Sequence, residues 1–243
     1  MRDRTPSHTE ESTPALIKFC GITRVEDAHQ ASLLVADYVG VIFADSPRQV
    51  DARAASAIFE AAGPDVAHVA VFGRGEVDDI SATAKDVNAD VIQLHGGAQP
   101  REVEALRGGF FGEIWAVIGL DPGASALPPE AEKLARVADG LLLDTRIAGR
   151  IGGTGVPLDW ERLADAVGAL RDRTRVILGG GLDPGNVAAA LRILRPDVVD
   201  VSSGVEALPG IKDHGRMRAF AEAVRSASID RGGIASSSRL EAE

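Results

Sequence analysis

The chain has 243 residues, 45% of them hydrophobic, and a formal net charge of −10. That length suits one large α/β domain or two small ones, the composition is that of a soluble globular protein, and no apolar run approaches the ~20 residues of a membrane span. An acidic balance without a Lys/Arg cluster argues against nucleic acid or an anionic membrane as partner, while backbone N–H groups can still bind an anionic small ligand whatever the global charge.

The opening MRDRTPSHTEESTP carries charges and Thr, Ser and Pro but no apolar h-region, so residues 1–14 read as a disordered lead and not a secretory signal. Cys20 is the one cysteine. No intrachain disulfide can form, which agrees with a reducing cytoplasm and leaves a free thiol.

Beyond the lead, short runs rich in Val, Ile and Leu alternate with longer segments of helical period, the signature of βα units and a parallel sheet. The predicted strands are Leu16 to Cys20, Asp37 to Phe43, Val66 to Phe72, Asp90 to Leu94, Glu113 to Ile118, Gly140 to Asp144, Arg175 to Leu178 and Val198 to Val201. Thr23 and Glu26 have capping-box spacing directly after the first strand. Ala55, Ile58, Phe59 and Ala62 form one apolar helical stripe, and Val187, Ala190, Leu191 and Leu194, then Met217, Phe220, Ala221 and Val224, form two more. Asp183-Pro184 supplies an N-cap followed by proline, and Asp159 is placed to cap a helix through Leu163 and Val167. The Pro- and Ala-rich segment from Leu120 to Ala138 predicts a short or broken helix.

Eight strands, each followed by a helix, in about the length that fold needs, predict a single-domain α/β (β/α)8 TIM barrel over residues 15–227. An open doubly wound sheet is the alternative, weakened by the absence of GxGxxG after the first strand. Residues 228–243 have Gly, Ser and charge but no stripe, and read as a flexible tail.

In a barrel of this kind, chemistry sits at the carboxyl ends of the strands. There the sequence places Cys20-Gly21, Ser46-Pro47-Arg48, Gln93-Leu94-His95-Gly96, Asp144-Thr145, Gly179-Gly180-Gly181 and Ser202-Ser203-Gly204. The glycines after the seventh and eighth strands, with Gly152-Gly153-Thr154-Gly155 after the sixth, suit backbone cradles for a phosphate, although tight turns alone also call for glycine. Period-2 alternation puts Leu16, Lys18 and Cys20 on one face. A lysine there favours thiolate, so the thiol is expected to move from its ordinary value toward neutrality and serve as base or nucleophile; a small buried hydrophobe is the plain alternative for a lone cysteine. Asp144 ends the run LLLD, where desolvation makes a carboxyl a candidate general acid, with a turn or cap role as the alternative. Arg48 has the planar fork that suits a carboxylate, and a solvated surface arginine fits its local sequence equally well. His95 is a candidate substrate contact, with a hydrogen bond inside its own loop as the plainer reading. No metal-ligand spacing and no Ser-His-Asp elbow occurs.

From Leu16 to Arg225 the sequence resembles phosphoribosylanthranilate isomerase. The motifs are KFCGIT, SPRQV, IQLHG, LLLDT, GGTGVPLDW, GGGLDPGNV and DVSSGVEALPGIKD. The resemblance implies an Amadori rearrangement of N-(5-phosphoribosyl)anthranilate to 1-(2-carboxyphenylamino)-1-deoxyribulose 5-phosphate in tryptophan biosynthesis, with no cofactor or metal. It implies Asp144 as general acid, Cys20 as general base and Arg48 as the holder of the anthranilate carboxylate. Gly155, Gly180, Gly181, Ser203 and Gly204 take the phosphate, and Lys18 and His95 complete the expected substrate-binding set. The expected partner is a small phosphorylated substrate, with neither nucleic acid nor membrane, for a cytoplasmic monomer or homodimer. The chain departs from the family pattern at Gly97-Ala98, where HGDE is common, at Phe72-Gly73, at Leu158, and with Arg146 and Arg150 beside the acid. A related sugar-phosphate aldose-ketose isomerase or synthase, or a specialised-pathway homologue acting on a similar phosphoribosyl amine, is the second reading. Histidine-pathway isomerases share the layout but place an aspartate where Cys20 stands, and indole-glycerol phosphate synthase relies on Lys and Glu. A barrel that only binds a phosphate ligand is the third.

Overall fold

A computed structural model describes residues 14–147, 150–151 and 157–237. Strands and helices alternate in the order β1 (Leu16–Phe19), α1 (Val25–Leu33), β2 (Tyr38–Ile42), α2 (Ala52–Ala62), β3 (Ala67–Phe72), α3 (Val77–Asp86), β4 (Val91–Leu94), α4 (Pro100–Arg107), β5 (Glu113–Leu120), α5 (Pro129–Leu134), β6 (Gly140–Ile147), α6 (Trp160–Arg171), β7 (Arg175–Leu178), α7 (Val187–Leu194), β8 (Val198–Val201) and α8 (His214–Ser237). Every strand pairs in parallel with the next, and β8 returns to β1, so the sheet closes into a ring. This is the predicted (β/α)8 barrel, and closure leaves it without sheet edges.

The strand residues divide by their alternation into two apolar clusters. Inside the ring lie Val69, Val71, Val91, Trp115, Val117, Leu142, Ile177 and Val198 with Tyr38 and Cys20. Between ring and helices lie the opposite strand positions, such as Phe19, Val39, Ile92 and Leu143, against the predicted helical stripes of α2, α7 and α8. Both faces of each strand are covered, which is why the strands read as unbroken apolar runs.

Several local expectations change in the fold. Thr23 does not cap α1: Arg24 occupies the N-cap position and the Thr23 hydroxyl donates instead to the Gly210 carbonyl at 2.5 Å. A tertiary acceptor thus replaces the local one. Asp183 caps the turn leading into α7, accepting from Gly185 N and Asn186 N, while Asn186 holds the N-cap position. Asp159 caps α6 as expected, and the helix after Leu120 is only the short α5. Strand β6 runs past Asp144 to Ile147 and pairs with Arg150–Ile151 in an antiparallel ribbon. The backbone of α8 continues to Ser237, past residue 228 where a tail was expected; no proline interrupts it, and glycines weaken a helix without forbidding it. The expected lead, apart from Pro14, and residues 238–243 lie outside the described residues. Among the described residues no helix is long and apolar enough to cross a membrane.

Candidate active site

Strand β1 carries Lys18 and Cys20 to the barrel interior, as alternation predicts. The neighbouring strand makes room for both: a Cβ on Gly40 of β2 would stand 3.0 Å from the Cys20 sulfur and 3.3 Å from both the Cε and the Nζ of Lys18. Lys18 is fully buried, and its ammonium donates to Asp200 Oδ1 at 2.9 Å. These two residues face each other in register across β1 and β8. A buried ammonium needs such a partner. Burial alone would lower the Lys18 pKa, but Asp200 and the Cys20 sulfur together hold it above the usual lysine value.

The expected shift of Cys20 toward neutrality is corrected by burial first, with the Asp200 member of the same ion pair adding to it. Burial pushes the thiol up, Lys18 pulls it down, and Asp200 pushes it up again, leaving it above its ordinary 9.0. The pull of the lysine on the thiol is outweighed by burial together with a carboxylate from a distant strand.

Asp144 lies buried on β6. Its Oδ1 accepts from its neighbour Thr145 N at 2.7 Å. Burial first and the Asp200 charge second raise its pKa to about 7, against the smaller opposing pulls of the Thr145 N–H and Lys18. A carboxyl with that pKa is half protonated near neutrality and can donate a proton. The loop after β7 closes over it. Gly180 has φ of +77°, and a Cβ there would fall 2.6 Å from Asp144 Oδ1, Thr145 N and Thr145 Oγ1. A Cβ on neighbouring Gly179 would be 3.7 Å from Asp200 Oδ2. One loop therefore touches both carboxyls, and the Lys18–Asp200 pair acts on Asp144 and Cys20 alike.

Gly181 also has positive φ, at +68°. Gly204, in the 3-10 turn Ser203–Val205, presses so closely on the Leu182 carbonyl that a Cβ would lie 1.9 Å from its oxygen. The loops after β7 and β8 thus stand side by side at the mouth. Gly155 and its loop lie outside the described residues. His95 is half-buried on the other side, bordering a small hollow of about 30 Å³ between the loops after β3 and β4 that is lined by neither Cys20 nor Asp144.

Arg48 reaches the site, but not as a solvated arginine. Its Nε and Nη2 donate to Glu206 Oε1 and Oε2, each at 2.7 Å, with both side chains largely buried. Lys212 Nζ donates to the same Glu206 Oε1 at 2.9 Å and to the Ser202 carbonyl at 3.1 Å. Burial alone would raise the Glu206 carboxyl, but its two cations hold it below the usual glutamate range, whereas Lys212 is drawn down by burial and by Arg48. The same pairing favours the charged form of both Arg48 and Glu206.

Asp200, Glu206, Lys212 and Gly40 were not singled out from the sequence. A signal was present: Asp200 interrupts an apolar strand run, and DVSSGVEALPGIKD holds Asp200, Glu206 and Lys212 together.

The fold is that of the (β/α)8-barrel class, with a thiol and a carboxyl grouped about one buried ion pair at the carboxyl-terminal mouth. Residues 17–223 match the family model of N-(5'phosphoribosyl)anthranilate (PRA) isomerase, and the chain belongs to that family. An N-(5'-phosphoribosyl)anthranilate isomerase of Acidithiobacillus ferrooxidans is 42% identical over 210 residues, covering 86% of this chain and 97% of that protein. One from Pseudomonas fluorescens is 39% identical over 212 residues, 87% of this chain and 96% of its own. Among solved structures, phosphoribosyl anthranilate isomerase from Thermus thermophilus superposes with a TM-score of 0.74 at 33% identity, covering 87% of this chain and 98% of that one. A phosphoribosyl anthranilate isomerase in complex with reduced 1-(o-carboxyphenylamino)-1-deoxyribulose 5-phosphate does so with a TM-score of 0.72 at 31% identity, covering 87% and 99%.

Proposed function

We propose that this protein isomerises N-(5-phosphoribosyl)anthranilate to 1-(2-carboxyphenylamino)-1-deoxyribulose 5-phosphate, with Asp144 as general acid and Cys20 as general base in one domain spanning residues 15–227. Asp144 gives its proton to the furanose ring oxygen as the C1–O bond breaks, and the anilino nitrogen supplies the electron pair of the new C1=N bond. The Cys20 thiolate then takes the C2 proton. The electrons of that C–H bond form C1=C2, those of C1=N return to nitrogen, and the resulting enolamine tautomerises to the ketone. C1 is reduced and C2 oxidised within one molecule, so no external electron donor enters.

The observation that carries this reading is Asp144, a buried carboxyl raised to about 7 by burial and by Asp200, in a mouth it shares with Cys20. Because the thiol titrates above the carboxyl, the form with neutral Asp144 and ionised Cys20 is the minor singly protonated one. Catalysis runs through that minor form. Three N–H groups of the Arg48 fork are left after its two bonds to Glu206, and they take the substrate carboxylate. Gly180, Gly181, Ser203 and Gly204, with Gly155 from outside the described residues, take the phosphate. Lys18 acts beside Cys20, and His95 contacts substrate from the opposite side of the mouth. The ligand is a small phosphorylated molecule, the assembly a monomer or homodimer, the location the cytoplasm, and neither nucleic acid nor membrane is a partner.

The direct test generates phosphoribosylanthranilate in situ and follows loss of its anthranilate fluorescence on adding purified protein. Decay no faster than without protein would refute the reading.

A further inference from the structure

Arg48 lies on the loop after β2, while the carboxylate that holds it comes from the far end of the chain. Residues Glu206–Leu208 and Ile211–Lys212 form a small antiparallel hairpin after β8. Contacts from α1 and α8 pin this hairpin in place. Thr23 Oγ1 donates to the Gly210 carbonyl, Lys212 N donates to Asp27 Oδ2 at 3.1 Å, Arg24 Nη2 donates to the Lys212 carbonyl at 3.4 Å, and Arg216 Nη1 donates to the Glu206 carbonyl at 2.5 Å. Asp27 is itself fully buried and takes hydrogen bonds from Arg24 and from His214. The hairpin is therefore tied down at several points, and Glu206 is held on it by Lys212.

We propose that Glu206 is a positioning residue: by gripping one edge of the Arg48 guanidinium it fixes the plane and direction of the edge that meets the substrate carboxylate. This rests on the functional reading of Arg48 given above. A free arginine has several rotatable bonds to immobilise when a ligand binds, and a fork already held at Nε and Nη2 has lost that freedom in advance. The anion next to the guanidinium has an electrostatic cost, since Glu206 repels the incoming carboxylate. The two effects predict opposite outcomes. If Glu206 acts only through its charge, removing that charge tightens substrate binding; if it positions Arg48, removing it weakens binding.

The experiment measures kcat and KM for Glu206→Gln, which keeps the shape and removes the charge, and for Glu206→Asp, which keeps the charge and shortens the reach by one methylene. Circular dichroism checks that each is folded. Positioning predicts that KM rises about tenfold in both while kcat changes by a smaller factor, because the carboxylate contact is the same in ground state and transition state. If Glu206→Gln does not fold, Glu206→Asp alone decides. Each variant is repeated in an Arg48→Lys background, where no fork exists to orient; there the Glu206 substitutions are expected to add little. A KM unchanged or lowered in the folded variants, or an equal rise in the Arg48→Lys background, overturns the proposal. Wild-type protein that fails to convert phosphoribosylanthranilate refutes the functional reading first, and this inference with it.

Discussion

Asp144→Asn exchanges a buried carboxyl for an amide of nearly the same shape, keeping an oxygen to accept from Thr145 N. Burial first, and the Asp200 charge second, lift this carboxyl from 3.8 to about 7 in the fold. Between those values the folded chain binds the proton more tightly than the unfolded chain, so stability is lost as pH rises through that window and the loss is complete above it. At about 1.4 kcal/mol for each tenfold change in proton affinity, the upper limit of the penalty is about 4 kcal/mol. Water entry and side-chain relaxation reduce it, so the variant is expected to be more stable than wild type by about 1–3 kcal/mol at about pH 8. The gap should close near about pH 3, where the carboxyl is protonated in both states. Urea unfolding at the two pH values reads this directly. Turnover should fall by roughly 10² to 10⁴, the usual weight of a general acid. A residue kept for its chemistry costs stability, while one kept for structure supplies it. A variant no more stable than wild type at the higher pH, or a gap equal at both, would refute the placement of Asp144 as a desolvated acid.

The kcat/KM profile should be a bell, rising through about 7 as the proton of the Asp144/Cys20 pair that belongs to Asp144 leaves, and falling above the raised thiol value. In Asp144→Asn the lower limb should disappear and residual activity climb with pH; a lower limb that persists assigns it to another group. Gly40→Ala drives a methyl to 3.0 Å from the Cys20 sulfur, and should cost about 1–3 kcal/mol in urea melts with about a tenfold loss of kcat/KM. Wild-type behaviour there would show that the sulfur has room to move. Asp200→Asn strips the buried Lys18 ammonium of its carboxylate and should cost about 3–5 kcal/mol in the same melts. It should also move the lower limb of the pH profile down, since Asp200 is the second cause of the raised Asp144 value; an unmoved limb would mean the two carboxyls do not interact.

Barrel strands were readable because both faces of each are buried, so Val, Ile and Leu runs with glycines at their ends mark them without any knowledge of pairing. Helix starts were less secure. Thr23 has capping-box spacing, yet its hydroxyl answers to Gly210, 187 residues away in sequence. Short polar side chains serve local and tertiary acceptors alike, and only the fold decides between them.

Cys20, Lys18, Asp144 and Arg48 were legible as chemistry because strand alternation and strand ends dictate where a side chain points. Their protonation was not. The Lys18 charge was visible at two residues from Cys20, but the carboxylate that opposes it sits on β8, and the Glu206 that occupies one edge of Arg48 sits on a hairpin beyond it. By itself the sequence marked the strands, their ends and the polar residues that stand there as candidates, since periodicity and strand ends are local properties. Only the tertiary structure decided their electrostatics, because in a buried site a pKa is the sum over charges and desolvation that converge from β1, β6 and β8, and chain distance says nothing about which of them meet.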